Sequence, residues 1–340
     1  LDRFFTQTVF AGNEILWARP SPYPRLQLVK NRGGNISLFL NGELQFQSGL
    51  LEKRYHETFV HPVMAFLGNR ARHILILGGG DGLVLREVWK YPSVGAVTMV
   101  DIDAAVTNLA STHSALVDLN ERSFADPRLT LIHDDAFRWL LRRPAPEAPF
   151  DVVFADLPDP TDDASSRLYS REFYLLVKRA LAADGMAVIQ AGPLPSRFHG
   201  AVKETLKGAG YRVLSLHPVG PDPMLGIPGV FEASFLAASP STETIGSLYR
   251  ALRSGTLTLN GDAAGIIDPY LESAVQDGAS ANSLFQPLPF FSTGSSLTER
   301  FIEVQTTLGS LLAHINAPTG LVRTQIANLI TGRGPFASYR

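Results

Sequence analysis

The spacing of apolar residues changes along the chain, and the changes mark three regions. Residues 1–65 read as β-rich. Arg25 to Lys30 alternates, with Leu26, Leu28 and Lys30 on one side and Arg25, Gln27 and Val29 on the other. Asn31-Arg32-Gly33-Gly34-Asn35 then turns the chain. Ile36 to Leu40 and Leu44 to Gln47 flank Asn41-Gly42, a pair that predicts a type I′ hairpin because both central residues must take positive φ.

In residues 66–239, short apolar runs alternate with helical patterns. Ile74 to Leu77 predicts a buried strand, and Val84, Leu85, Val88 and Trp89 follow at helical spacing. Val97 to Val100, Leu129 to Ile132, Val152 to Ala155 and Ala187 to Gln190 predict further strands. A helix is expected from about Ala104, and Phe173, Leu176, Val177 and Leu181 form the face of another. Strands alternating with helices imply a parallel sheet with covered faces. Residues 240–340 predict helices instead. These are Thr242 to Arg253, a helix opened by the capping box Ser296-Leu297-Thr298-Glu299, and Leu321 to Ile330 closed by Gly332. A packing or oligomerisation appendage is the expected role of this region.

Composition narrows the function. The chain has 340 residues, 45% of them hydrophobic and 18% charged, as a globular protein does. A net charge of −2 without a basic stripe argues against a nucleic-acid partner. The absence of cysteine excludes disulfides, thiolate catalysis and cysteine zinc sites. The eight histidines show no HExxH-like spacing, so no metal is expected. No apolar run approaches the roughly 18 residues of a membrane helix, and no signal peptide opens the chain. Leu1 in place of a methionine is what a fragment or a processed product would show. Cytoplasmic placement is the default expectation.

The strongest local signal is Gly78-Gly79-Gly80-Asp81-Gly82, between a buried strand and a helix. Glycines there let the backbone approach a nucleotide closely. The dinucleotide fingerprint would need glycine where Leu83 stands, and Asp81 would repel a pyrophosphate. A carboxylate there suits an ammonium or sulfonium group, so a cationic nucleoside is the expected ligand.

Asp101 ends the second strand of this region in Val100-Asp101-Ile102-Asp103, where an acid can accept from both ribose hydroxyls. A helix N-cap is the alternative, and Asp103 fits it better than Asp101. Asp134-Asp135-Ala136 follows the next strand, where a carboxylate can accept from an adenine amino group or simply cap a helix. The fourth strand end is Asp156-Leu157-Pro158-Asp159-Pro160, two carboxylates about a stiff turn. A substrate amine of pKa near 10.4 costs roughly 4.6 kcal/mol to deprotonate at pH 7. A neighbouring carboxylate can hold the ammonium and accept its proton. The alternative is a solvated acidic turn, which Asp162 and Asp163 fit.

From about Tyr23 to Ser239 the chain resembles the spermidine synthase family of polyamine aminopropyltransferases. It looks closer to the family's bacterial branch, whose catalytic domain is often fused to membrane helices. Leu40-Asn41-Gly42-Glu43-Leu44-Gln45, Glu52-Lys53-Arg54-Tyr55-His56-Glu57 and His61-Pro62 carry the likeness in the first region. The stretch 76–82, Leu85-Arg86-Glu87-Val88, Val100-Asp101-Ile102-Asp103, Asp126-Pro127-Arg128, Asp134-Asp135-Ala136, 150–160, Leu168-Tyr169-Ser170 and Phe173-Tyr174 continue it in order.

The resemblance implies a Rossmann-like doubly wound α/β sheet of the class I S-adenosylmethionine-dependent transferase type. A small β-rich N-terminal domain would precede it and a helical extension follow. It implies transfer of an aminopropyl group from decarboxylated S-adenosylmethionine to an amine such as putrescine, leaving methylthioadenosine. Gly78, Gly80 and Asp81 would hold the donor, Asp81 through its ammonium, with the ribose on Asp101 and the adenine on Asp135 and Ala136. Asp156 would be the general base, and Asp159 would anchor the far end of the acceptor. Tyr55 and His56 would line the reacting centre, with Gln45 nearby.

A homo-oligomer is expected by analogy, and a membrane tether outside this chain is the alternative to the cytoplasmic default. Several positions depart from the family pattern: Pro24 for a glutamine, Leu51 for an aspartate, Asp101 for a glutamate, and the stretch 160–164. The expected late tyrosine has no clear counterpart near residues 228–231. These departures leave two alternatives. One is an S-adenosylmethionine-dependent enzyme with another reaction, such as N-methylation. The other is a non-catalytic binder of adenosyl nucleosides.

Overall fold

The computed structural model describes residues 13–23, 25–143, 149–160, 163–192, 197–218, 233–260 and 267–270. Four antiparallel strands form the first sheet, β1 (Glu14–Pro20), β2 (Arg25–Lys30), β3 (Ile36–Leu40) and β4 (Glu43–Gln47), paired in chain order. Asn41 and Gly42 turn β3 into β4 with φ of 53° and 86°, as a type I′ turn demands. Leu28, Leu38 and Phe46 carry the sheet onto the larger domain by packing against Leu83, Leu109 and Leu116. Ser21 adds a polar tie, its hydroxyl donating to Asp103 Oδ2 at 2.6 Å.

The pattern of the first 65 residues predicts strands, yet α1 (Leu50–Leu67) is an 18-residue helix. Its face of Phe59, Val60, Val63, Met64 and Leu67 has helical spacing. Pro62 punctuates that face, since proline removes an N–H from a helix interior. Burial outweighs this cost. The ring of Phe59 lies 5.4 Å from that of Phe154 and 5.0 Å from that of Phe235, and a fully buried phenylalanine contributes about 2–3 kcal/mol.

The second sheet contains β5 (His73–Gly78), β6 (Ala96–Asp101), β7 (Leu129–His133), β8 (Phe150–Asp156), β9 (Leu181–Gln190), β10 (Arg212–Pro218), β11 (Phe235–Ser239) and β12 (Ile267–Tyr270). Its order is β12-β10-β11-β9-β8-β5-β6-β7. The strands from β9 to β7 are mutually parallel, whereas β11 is inserted antiparallel between β9 and β10, and β12 pairs antiparallel with β10. The expected parallel sheet therefore acquires reversed strands toward one edge. The alternation of strands and helices gave no warning, because Phe235–Ser239 reads like any buried run.

Helices α2 (Leu83–Trp89), α3 (Ala104–Thr112), α4 (Ser114–Leu119), α5 (Ala136–Arg142), α6 (Arg171–Ala180), α7 (Arg197–Gly208) and α8 (Thr242–Arg253) are the other described helices of more than one turn. Helices α1, α2 and α8 share one core with the sheet, to which α8 contributes Ile245 and Leu248. On the other face α5, α6 and α7 bury Leu140, Phe173, Val177, Val202 and Leu206. Residues beyond 240 thus supply a helix and an edge strand to the sheet. The capping box at Ser296 and the expected helix from Leu321 to Ile330 lie outside the described residues.

The chain leaves β5 toward β6 on one side and returns to β8 on the other. In such sheets the crevice opens outside the strand ends at this reversal. Gly78 and Asp156 are register partners there.

Candidate active site

Gly78 and Asp156 approach so closely that only glycine fits. With Gly78 at φ 79°, a Cβ would stand 2.1 Å from the Asp156 carbonyl oxygen. That oxygen accepts from Gly79 N at 3.2 Å, so the glycine loop is pinned to the end of β8.

The Asp156 side chain points to α1. Its Oδ1 accepts from Tyr55 Oη at 2.8 Å, a contact spanning 101 residues of sequence. Tyr55 is braced edge-on against Phe235, with ring centroids 4.9 Å apart. Burial raises the Asp156 pKa despite the charge of His56 and the Tyr55 hydrogen bond, both of which favour the carboxylate. Burial and the charge of Asp156 push the tyrosine hydroxyl well above its usual value, so Tyr55 stays a donor.

Asp81 accepts from Leu83 N at 2.9 Å, folding the loop into α2. Burial raises its pKa to about 6, and the charge of Asp156 adds to this against the opposing charge of His56. His56 is buried and shifted up to about 9. Burial works against that shift, and the hydrogen bond and charge of Glu52 outweigh it. His56 Nδ1 stands 2.9 Å from Glu52 Oε1, and Arg86 Nη2 donates to the same Oε1 at 2.7 Å.

Asp101 and Asp135 are held differently. Asp101 Oδ1 accepts from Asp103 N at 2.8 Å, and Gly80 supplies a second backbone hydrogen bond. Burial still raises the Asp101 pKa to about 6. Asp103 takes the N-cap of α3, accepting from Ala105 N at 2.8 Å, which leaves Asp101 outside that role. Asp135 does cap α5, accepting from Arg138 N at 2.8 Å, and its other oxygen takes Arg167 Nη2 at 2.5 Å. Ala136 is the buried first residue of that helix.

Asp159 Oδ1 accepts from Gln190 Nε2 at 3.1 Å. Tyr169 Oη donates to Gln190 Oε1 at 3.2 Å and reaches the Leu157 carbonyl at 3.0 Å. The turn after β8 is thereby tied to the end of β9. Gln45 is not joined to this cluster. It is exposed on β4 while Phe46 beside it is buried, and its amide donates to the Glu43 carbonyl at 3.4 Å.

Among the described residues, one group has donor atoms close enough for a metal ion: Glu57, His61 and Glu87, within 4.8 Å of one another. Glu87 is already compensated there by Arg86 and Lys90, each at 2.7 Å, and by His61 at 3.0 Å. An added cation would have to displace the lysine.

Residues 52–207 match a protein family described as "Spermine/spermidine synthase domain". Polyamine aminopropyltransferase 2 of Ralstonia nicotianae is 41% identical over 238 residues, 69% of this chain and 44% of the relative. The polyamine aminopropyltransferase of Leptospira interrogans is 38% identical over 216 residues, 63% and 42% of the two chains. Residues 52–207 thus form a spermine/spermidine synthase domain. The chain spans less than half the length of these curated relatives. The solved spermidine synthase from Thermotoga maritima shares the fold, with a TM-score of 0.58 at 23% identity over 76% of this chain and 81% of that one.

The synthase domain opens at Glu52 and takes in every site residue named from the sequence except Gln45. The sequence reading passed over four residues in or beside the crevice. Glu52 was signalled by its i,i+4 spacing to His56. Gln190 was signalled as the polar end of a buried strand. Ile102, 42% exposed between Asp101 and Asp103, was signalled as an apolar residue between two acids. Arg167 carried no signal, since only the fold brings it to Asp135.

Proposed function

We propose that the chain is a polyamine aminopropyltransferase. It would transfer an aminopropyl group from decarboxylated S-adenosylmethionine to an amine such as putrescine, with release of methylthioadenosine. The observation that carries this reading is the Tyr55–Asp156 hydrogen bond of 2.8 Å at the strand end adjoining the Gly78–Asp81 loop. It puts a carboxylate of raised pKa beside a second carboxylate in one crevice.

In this reading Asp81 holds the donor's ammonium, the backbone at Gly78 and Gly80 flanks the donor, Asp101 takes the ribose, and Asp135 with Ala136 the adenine. Arg167 must yield one Asp135 oxygen as the nucleoside enters. Asp159, steadied by Gln190, holds the far ammonium of the acceptor. Asp156 receives a proton from the near ammonium, freeing the nitrogen lone pair. That nitrogen attacks the methylene carbon bonded to sulfur, the C–S bond breaks, and sulfur keeps the electron pair. Alignment of the two substrates supplies most of the acceleration such a displacement needs. Tyr55 orients the base. A metal has no step in this chemistry.

One observation favours a second reading. A cationic His56 beside Asp81 could take the carboxylate of intact S-adenosylmethionine while Asp81 takes its ammonium. Calorimetry with decarboxylated S-adenosylmethionine, S-adenosylmethionine and methylthioadenosine, followed by product analysis with putrescine, separates the two. Preference for the decarboxylated donor and formation of spermidine support the first reading. Tight binding of the intact donor without product from putrescine overturns it. Among the described residues no helix is long and apolar enough to cross a membrane. A homo-oligomer and a cytoplasmic setting belong to the same proposal by analogy with the family.

A further inference from the structure

One buried acid beside the crevice, Glu52, has no role in the chemistry above. Glu52 lies one turn before His56 on α1, and both side chains are almost wholly shielded. His56 Nδ1 is 2.9 Å from Glu52 Oε1 and also 2.9 Å from the Glu52 carbonyl oxygen. Two acceptors at one nitrogen require a proton on it, so the charge of the ring depends on Nε2. The groups that act on His56 besides Glu52 are Asp81, from the loop opening α2, and Asp156, from the end of β8. Tyr55 stands edge-on, with ring centroids 4.8 Å apart. Arg86, behind Glu52, is shared with Glu87 at 2.7 Å.

We propose that Glu52 is a positioning residue that holds His56 as an imidazolium beside Asp81 and Asp156, so that both aspartates stay ionised to receive cationic substrates. This rests on the reading of those two aspartates given above. Two carboxylates left alone in a crevice tend to share a proton, and a shared proton leaves one of them unable to hold an ammonium. A cation between acids of three separate elements removes that tendency. The upward shift of His56 to about 9 agrees with it. Asp81 also feels His56 more strongly than Glu52, so neutralising Glu52 acts on the aspartate mainly through loss of the imidazolium.

The first test needs no substrate. Side-chain ¹⁵N NMR of the histidines, with His56 assigned through His56→Gln, is followed from pH 6 to pH 9. The expected result is a doubly protonated His56 at pH 7.5 in the unaltered chain and a neutral one in Glu52→Gln. Kinetics then read the consequence. Glu52→Gln should raise the donor KM at pH 7 about tenfold and move the acid limb of kcat/KM up by about one pH unit. Glu52→Asp should restore most of both, and Glu52→Gln with His56→Gln should be no worse than His56→Gln alone.

A His56 already neutral at pH 7 in the unaltered chain overturns the inference, as does an acid limb that Glu52→Gln leaves in place. If Glu52→Gln does not fold, the titration of the unaltered chain still decides. If the chain transfers no aminopropyl group, the proposed activity fails while the titration separately judges the Glu52–His56 pair.

Discussion

The crevice has two halves that hold their carboxylates by different means. On the side proposed for the nucleoside, Asp101 and Asp135 accept from backbone N–H groups within three residues of themselves. On the reacting side, Asp156 is held by Tyr55 from a helix about a hundred residues earlier. A carboxylate fixed by its own backbone is oriented as soon as its strand and helix form. One fixed by a distant side chain is oriented only when α1 packs on the sheet. The first pair is therefore oriented mainly by its own backbone, with Arg167 brought to Asp135 by the fold, whereas Asp156 is an assembled position, open to tuning by everything that α1 carries.

That contrast can be broken most sharply at Asp156. Asp156→Asn should lower turnover by about a thousandfold, the range of a lost general base, while calorimetry finds donor affinity changed by no more than about threefold. A parallel fall in donor affinity would mean that the two halves are not separable. Gly78→Ala tests the junction between them. A Cβ at 2.1 Å from the Asp156 carbonyl, at positive φ, should cost about 3 kcal/mol in denaturant unfolding. Tyr55→Phe should cost about 2 kcal/mol, roughly thirtyfold in kcat/KM, because it removes a hydrogen bond to an ionised group. Stability should fall far less, since the ring against Phe235 remains.

The pH dependence follows from the raised carboxylates. Asp81 at about 6 is protonated below that pH and cannot then hold an ammonium. Calorimetric affinity for a cationic donor should thus be flat from pH 7 to 8 and fall progressively below pH 6. The folded pKa of Asp81 is raised, so the folded state binds its proton more tightly than the unfolded one. The unliganded protein therefore gains stability from this group as pH falls from about 6 toward 4. Donor binding and unliganded stability should move in opposite directions across that window. The smallest effect belongs to the locally built half. Asp103→Ala removes the α3 cap and the tie to Ser21, and should lower stability by about 1 kcal/mol.

Much of this was legible in the chain. The hairpin at Asn41-Gly42, the glycine loop after a buried strand and the acids at successive strand ends are local patterns. Each appeared where its spacing predicts, because backbone geometry and neighbouring hydrogen bonds suffice to make it. Helix α1 was missed because Pro62 interrupts its apolar face and because polar residues, Glu52, His56, Glu57 and His61, fill buried positions. Glu52 and His61 find charged partners in Arg86 and Glu87 on α2, which no periodicity reveals. The strands Arg212–Pro218 and Phe235–Ser239 were not picked out from the sequence, and the reversal of β11 carries no signal of its own, since a run buried on both faces looks alike in either direction.

The linear sequence by itself determined which residues could do chemistry: five aspartates at or beside strand ends, a glycine turn too tight for any side chain, and a tyrosine and histidine awaiting a place. Those are properties of short segments, fixed by sterics and by hydrogen bonds a few residues long. Only the tertiary structure decided which groups meet. It set Tyr55 on Asp156, Glu52 between His56 and Arg86, Arg167 on Asp135 and Gln190 on Asp159, and it left Gln45 outside. Charge, burial and proton affinity arise from those meetings, because each depends on the distance between groups that chain spacing does not set.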